Sequence, residues 1–533
     1  MAVHLTRSTD QPDVPCRYRC EIGSGAHTDD MSPLDLAAQL ENAFDAIRLE
    51  WAAIAKELSA EPSSALAHMP ACAANASDFG LMLAWSRLVA DWVEEETGIH
   101  VICDDPWVFR HIAGLSGVRA GSSPMLWRTA FGLSLRGYAA RLKAAANNLI
   151  ARLTLPRGGA TENADGVALL VYGHPASTDD GRDAYFGDLM HRLPNLTRIL
   201  HVDCPRARAM ALSSPKTSSL HAWGPLIHLV ALPFQKWRPS RWQLSSPHGW
   251  LIRRAAAIEG GTGQAAMIAW QVACQQSWLK TARVRTVAWP WENHAWERVF
   301  IRAANDVSVK TVGYQHTIVG DREWNYAPDS NRDGADSLPD VILVSGPAGE
   351  NMLVDYGIPA ERIETGGTLR RTSVTPLPHD PDGPVFVALP FDGDIAAQII
   401  AAIRPLGALG RWFVVKTHPM TPFNFSPSAG IEETDVPLDQ QPGMAGVLYA
   451  ATTVGLEAVL GGLPTLRFRP VGKVPTDVVP KSIPVPTVDA SGLEAALAEL
   501  TPPPAIATEN VFAEPDYPLW QSILAPDIDT KDD

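Results

Sequence analysis

Two segments decide the fold of this chain: Trp412-Phe-Val-Val-Lys416-Thr-His418-Pro419, and Gly446-Val-Leu-Tyr-Ala-Ala-Thr452-Thr453-Val-Gly455-Leu-Glu457-Ala-Val-Leu-Gly461-Gly462-Leu-Pro464. Each opens on a short continuous apolar run, as a strand buried on both faces of a parallel sheet does. The first run ends at Pro419, which cannot continue a ladder. The second passes into two threonines, a short helix and a Gly-Gly-x-Pro stop. A helix start carries unpaired N–H groups and partial positive charge, so Thr452 and Thr453 suit a phosphate, with the His418 imidazole as its neighbour. Lys416 shares strand parity with His418 and is placed to face the same side. Glu457 lies about one turn into the helix. Each has a plainer reading: a cap for the threonines, an edge cation for Lys416, a backbone-satisfied imidazole for His418 and a solvated acid for Glu457.

Outward from this stretch, strand and helix signals alternate in both directions, which predicts parallel sheets with helices on both faces. Residues 1–32 are polar and expected to be disordered, and 33–98 form a helical extension whose first part reads as one long amphipathic helix. Residues 99–370 form a first α/β domain, with strands expected at 99–105, 167–172, 196–202, 227–232, 284–289, 309–314 and 340–345, and a helix at 183–192. Residues 371–383 are a linker and 384–500 a second α/β domain. The tail, 501–533, is expected to return in part to the first. Two such domains leave a cleft between the carboxyl ends of their strands.

The first domain places two further motifs at strand ends. Trp289-Pro290-Trp291-Glu292-Asn293-His294 offers Glu292 as a base, with indoles that would raise its pKa, and Trp291 as a surface for a sugar ring. Gly313-Tyr314-Gln315-His316-Thr317 offers Gln315 and His316 for contact with an acceptor. The plain alternative for Glu292 is a helix-start carboxylate.

At 533 residues the chain exceeds one core. Its 46% apolar and 19% charged residues are those of a globular protein, and a net charge of −15 argues against nucleic-acid binding. Six scattered cysteines predict reduced thiols, and the absence of a leader pattern predicts a cytoplasmic protein. Residues 126–155 form a helix with Arg128, Arg136, Arg141, Lys143 and Arg152, no acid, and an apolar stripe of Leu135, Leu142, Leu149 and Leu153. We read it as a core helix with a solvated flank; the alternative is peripheral contact with the anionic inner membrane surface.

The His-Pro pair and the downstream threonine helix resemble bacterial surface-polysaccharide glycosyltransferases of the two-Rossmann-domain (GT-B) fold, the polysialyltransferases and capsule Kdo transferases. The resemblance covers residue 99 onward and is clearest in the last third. It implies a nucleotide-sugar donor, weakly a CMP-activated ulosonic acid, and a glycan or lipid-linked glycan acceptor, with no cofactor and no metal. It places His418, Thr452 and Thr453 on the donor phosphate, Glu457 on the donor ribose and the base on Glu292; Lys416 and Pro419 join the donor site by their place at the same strand end. Those families often carry two acids before a glycine, whereas Glu292 precedes Asn293. Asp392-Gly393-Asp394 is the metal-binding fallback. A nucleotide-sugar 2-epimerase, a glycerophosphotransferase and an inactive binding scaffold remain alternatives.

Overall fold

The computed structural model describes residues 3–10, 16–23, 35–74, 76–95, 98–156, 166–370, 376–419 and 421–525. Among them, all ladders between strands are parallel, and they form three sheets.

The first sheet contains β1 (Val3–Thr6), β2 (Tyr18–Ile22), β3 (Ile99–Cys103) and β4 (Val118–Ala120), in the order β2-β3-β1-β4. This corrects two expectations. The described parts of 1–32 include two strands, and the strand at 99–103 joins them rather than the large domain. The reason is long-range pairing: β1 and β2 flank β3, as in His4 opposite His100 and Cys20 opposite Val101. Helices Leu36–Ala46 and Phe79–Glu94 pack beside this sheet. The expected single long helix breaks at Ile47, and a second helix, Arg48–Ser59, follows.

The 29-residue helix Leu126–Thr154 leads to the second sheet. That sheet holds β5 (Val167–Val171), β6 (Thr197–Leu200), β7 (Thr217–Ser219), β8 (Thr286–Pro290), β9 (Lys310–Gln315), β10 (Val341–Val344) and β11 (Ile363–Thr365). Its order is β11-β10-β9-β8-β5-β6-β7. β5 reads Val-Ala-Leu-Leu-Val and is buried at every position, because helices cover both faces. The strand expected at 227–232 is instead two short helical turns, Leu226–Leu229 and Leu232–Phe234, and β7 takes the edge. Only Leu189–Arg192 of the helix expected at 183–192 is helical.

The third sheet holds β12 (Val385–Ala388), β13 (Phe413–Lys416), β14 (Ile431–Glu433), β15 (Gly446–Tyr449), β16 (Thr465–Phe468) and β17 (Thr487–Val488), in the order β14-β13-β12-β15-β16-β17. The chain is thus two Rossmann-like units preceded by a smaller parallel layer. Of the linker, residues 371–375 lie outside the described set. The tail returns to the second sheet as helix Tyr517–Leu524, where fully buried Trp520 meets Tyr314 and donates from Nε1 to the Gly366 carbonyl at 2.9 Å.

One carboxylate ties the layers together. Glu41, on the first helix, accepts from Arg322 at 3.3 Å, Arg467 at 2.7 Å and Arg469 at 3.0 Å. The arginines come from both Rossmann-like units and the carboxylate is buried; Arg322 also pairs with Asp45 at 2.9 Å and Arg467 lies 3.6 Å from Asp477.

Candidate functional site

Strand order fixes where a ligand belongs. In the seven-stranded sheet the chain lays down β5, runs outward through β6 and β7, then returns to β8 on the other side of β5. In the six-stranded sheet it lays down β12, runs out through β13 and β14, and returns to β15. The crevices between β5 and β8, and between β12 and β15, are therefore topological switch points, where open parallel sheets bind ligands at their carboxyl ends. Glu292 directly follows β8, and Tyr172 follows β5. Phe391 and Asp392 follow β12, and Thr452 and Thr453 follow β15.

At the first crevice the turn after β8 is held by its own residues. Asn293 takes φ 56°, the left-handed region that glycine favours and asparagine tolerates. Its amide donates to the Asn325 carbonyl at 2.7 Å. Buried Glu297, on the helix Ala295–Asn305, accepts from the Trp289 indole at 2.8 Å and from the backbone N–H groups of Glu292 and His294. Burial pushes the Glu297 carboxyl up to about 7, although the charge of His294 opposes it. These bonds aim Glu292 outward, where its side chain is 45% exposed and its Oε2 lies 2.8 Å from His294 Nε2.

Desolvation raises the Glu292 pKa, but the bond to His294 and the charges of His294, His316 and His68 outweigh it and hold the carboxyl at about 2. Burial lowers His68 and His316 to about 4, so near neutral pH His294 is the partner that counts. Desolvation lowers His294, but Cys72 and Glu292 overcome it and hold the imidazole well above its ordinary value. The expectation that indoles raise the Glu292 pKa is thus corrected: Trp289 and Trp291 are buried, and an imidazolium faces the carboxylate.

Two of the accessory residues are also misplaced by the sequence reading. Trp291 is fully buried against Tyr326, and Gln315 is buried with its Oε1 unpaired, so neither presents a surface to a ligand. His316 is partly exposed and stands edge-on to Tyr185 at 4.8 Å.

The second crevice is more open. His418 is half-buried, edge-on to Phe391 at 6.3 Å, with Nδ1 3.3 Å from the Thr421 hydroxyl; desolvation lowers its pKa. Pro419 is exposed. Lys416 turns aside, its Nζ donating to the Asp435 carbonyl at 2.5 Å. The Thr452 hydroxyl accepts from Val454 N–H at 3.3 Å, whereas exposed Thr453 makes no side-chain cap bond. Glu457 is raised by desolvation and by Asp439, and lowered by Arg370. The His-Pro and threonine motifs do not sit on adjacent strands. β12 lies between, in the register Lys416, Ala388, Tyr449, which separates their strands by about 10 Å.

Sequence reading missed Arg370, beside the linker. Its charge lowers the pKa of His174 and His316 in the first unit and of Glu457 in the second. It also missed the cleft wall formed by the N-terminal layer. A cavity of about 320 Å³ is lined by Phe391, Asp392 and Lys473 on one side and by Met69, Asp78 and Glu259 on the other. Lys473 Nζ lies 3.2 Å from Asp392 and 2.9 Å from Asp394, so this acid pair, the metal fallback, already holds a cation.

A different group could hold a metal. Ligand atoms of His68, Cys72 and His294 lie within 4.8 Å of one another, with Cys72 Sγ 3.4 Å from His294 Nδ1. One thiol and two imidazoles form a donor set that zinc accepts, and Glu292 on the far nitrogen of His294 occupies the place of an outer carboxylate. The four-residue spacing of His68 and Cys72 was visible in sequence; their partner 222 residues beyond Cys72 was not.

No protein-family model and no curated relative matches the sequence. Solved structures with partial likeness include UDP-N-acetylglucosamine 2-epimerase from Rickettsia bellii, at 11% identity and TM-score 0.38, covering 67% of this chain and 93% of that one. Arabidopsis thaliana UGT89C1 complexed with quercetin gives 13% identity and TM-score 0.37, over 63% and 90%. The apo form of the lipopolysaccharide outer core galactosyltransferase WaaB gives 12% and 0.33, over 62% and 88%. Likeness at this level leaves function to the site itself.

Proposed function

We propose that this chain is a glycosyltransferase that moves a sugar from a nucleotide donor to a glycan acceptor without a metal. The observation that carries the reading is the placement of both motif sets: Glu292 at one switch-point crevice, and Thr452 and Thr453 at the other. The donor phosphate lies along the second rim, near His418 and the threonine helix start, with Glu457 toward the nucleoside. The acceptor hydroxyl lies at the first rim.

In the transfer, the acceptor oxygen forms a bond to the anomeric carbon as the bond from that carbon to the phosphate oxygen breaks. Glu292, ionised and oriented by His294, takes the hydroxyl proton as the new bond forms and the attacking oxygen becomes strongly acidic. The leaving phosphate gains charge, and His418 with the hydroxyls of Thr452 and Thr453 would stabilise it, an interaction stronger in the transition state than before it. The narrower donor, a CMP-activated ulosonic acid, and a lipid-linked glycan as acceptor rest on the sequence resemblance.

A second reading, epimerisation of a nucleotide sugar, is favoured by the imidazoles of His294 and His316 around Glu292, which could exchange protons with the sugar itself. Thermal shifts across CMP, CDP, UDP and GDP identify the nucleotide, because a ligand that binds only the folded state stabilises it. Product analysis then separates transfer, which requires an acceptor, from epimerisation, which does not. Turnover is expected to persist in excess chelator. Loss of turnover that zinc restores would instead assign the chemistry to His68, Cys72 and His294.

A further inference from the structure

The helix Leu126–Thr154 is inverted relative to an ordinary core helix. Its buried positions are Gly137, Arg141, Ala144, Asn148 and Ala151. Its large apolar residues face out: Trp127 is 69% exposed and Phe131 66%, and Leu135, Tyr138, Leu142 and Leu153 are exposed too. At about 100° per residue these six fall within a single arc of about 80°. The expected core stripe of Leu135, Leu142, Leu149 and Leu153 is therefore a surface stripe.

The inward face is fixed in place and leaves no doubt about which side is free to bind. Arg141 donates to the carbonyls of Gly260 at 2.6 Å and Pro233 at 3.1 Å, and Arg152 donates to that of Gly224 at 2.9 Å. A Cβ at Gly137 would meet the Gly260 carbonyl oxygen at 1.8 Å, so the backbones touch there. The patch continues onto the neighbouring turns: Tyr138 packs on Phe234 at 6.1 Å, and Ile227, Val230 and Phe234 are exposed.

Charge distinguishes this face from the rest of the molecule. Residues 126–154 and 226–241, which supply it, contain eight Lys or Arg and no Asp or Glu, in a chain of net charge −15. Arg128, Arg136 and Lys143 flank the helix stripe, and Lys236, Arg238 and Arg241 lie in the segment that follows Phe234; all six are exposed. No helix among the described residues is long and apolar enough to cross a membrane.

We infer that this face docks in the plane of an anionic lipid bilayer, with the aromatic and leucine side chains in the interface and the cations at the headgroups. Amphipathic surfaces with aromatic and basic residues bind in this way, and each cation near an anionic surface adds to the affinity. An isologous dimer through the same face would set these cations against their own copies. The inference stands apart from the proposed chemistry.

The test is flotation of the full chain with vesicles of phosphatidylcholine alone or with 30% phosphatidylglycerol. The wild type is expected to float with the anionic vesicles and at least tenfold less with the neutral ones. Trp127→Ser with Phe131→Ser and Leu135→Ser removes the apolar anchor. Arg128→Glu with Lys143→Glu, Lys236→Glu and Arg238→Glu removes the charge. Each set is expected to weaken binding at least tenfold while the melting temperature stays unchanged, since all these side chains are exposed. Arg141 and Arg152 are left alone because they hold the helix in place. A wild type that stays in the soluble fraction, or variants that float as it does, overturns the inference. A concentration-dependent dimer abolished by the serine variant, without flotation, would assign the face to a second copy instead.

Discussion

The rims of the two Rossmann-like units differ in how completely each is built. At the first, Glu292 is oriented by His294, the turn behind it is braced by Glu297 and Asn293, and His201 is stacked on Tyr172 beneath. At the second, Thr453 and Pro419 are exposed, His418 is half-buried, and Lys416 turns away to a loop carbonyl. On the proposed reading, the first rim holds a fixed proton acceptor and the second a more exposed set of groups for the donor. The difference suits an enzyme that fixes its reacting group and receives an interchangeable, charged leaving group.

The strongest way to break this picture is to separate the rims. Glu41→Ala removes a buried carboxylate shared by Arg322, Arg467 and Arg469, leaving Arg322 on Asp45 and Arg467 beside Asp477, and is expected to cost about 3 kcal/mol of stability, the lower end for a broken buried pair, measured by denaturant unfolding. A loss below 1 kcal/mol would show that the two units are held together elsewhere.

The braced rim should also carry the sharper pH dependence. Both ring nitrogens of His201 are buried without partners, and burial lowers its pKa to about 3. The unfolded imidazole takes a proton near pH 6.5 and the folded one does not, so this contribution is complete above 6.5 and is lost as pH falls toward 3. By pH 4 the loss should approach about 3 kcal/mol relative to pH 7. In His201→Phe, which keeps a ring between Tyr172 and Trp296, the slope of stability against pH over this range should be shallower by that amount. An unchanged slope would mean that His201 is protonated in the fold.

The open rim should respond less and independently. His418→Ala, and Thr452→Ala combined with Thr453→Ala, should each weaken nucleotide binding about tenfold, roughly 1.4 kcal/mol, in a calorimetric titration. A nucleoside without phosphate should be indifferent to both. Because β12 separates the motifs, they are expected to engage different oxygens of the donor phosphate, and their effects should add to within about 0.5 kcal/mol. A combined loss well below the sum would mean that both motifs grip one oxygen.

The parallel α/β architecture was legible because runs such as Val167–Val171 and Val385–Ala388 are continuously apolar, and local pattern alone marks a buried strand. Val3–Thr6 was not, because a four-residue strand beside polar chain becomes a strand only through its pairing with Ile99–Cys103. Glu292, His316 and the threonines were legible as residues that follow strands. Trp291 and Gln315 were misread because successive residues of an extended chain face opposite sides, and sequence does not say which side is the rim. The pair of His68 and Cys72 reaches the site from the N-terminal layer, and no local spacing encodes that approach. The Leu126–Thr154 helix shows the same limit: its period revealed a stripe but not what would cover it.

The central claim is that the first rim performs the chemistry while the second holds the nucleotide. Glu292→Gln keeps the shape of the side chain and removes its charge, so it tests that division directly. Nucleotide-induced thermal stabilisation and turnover should be measured on the same preparation. The account predicts stabilisation equal to that of the wild type and turnover lower by about 100-fold or more. Turnover within a few-fold of wild type, or a parallel loss of nucleotide stabilisation, would contradict it.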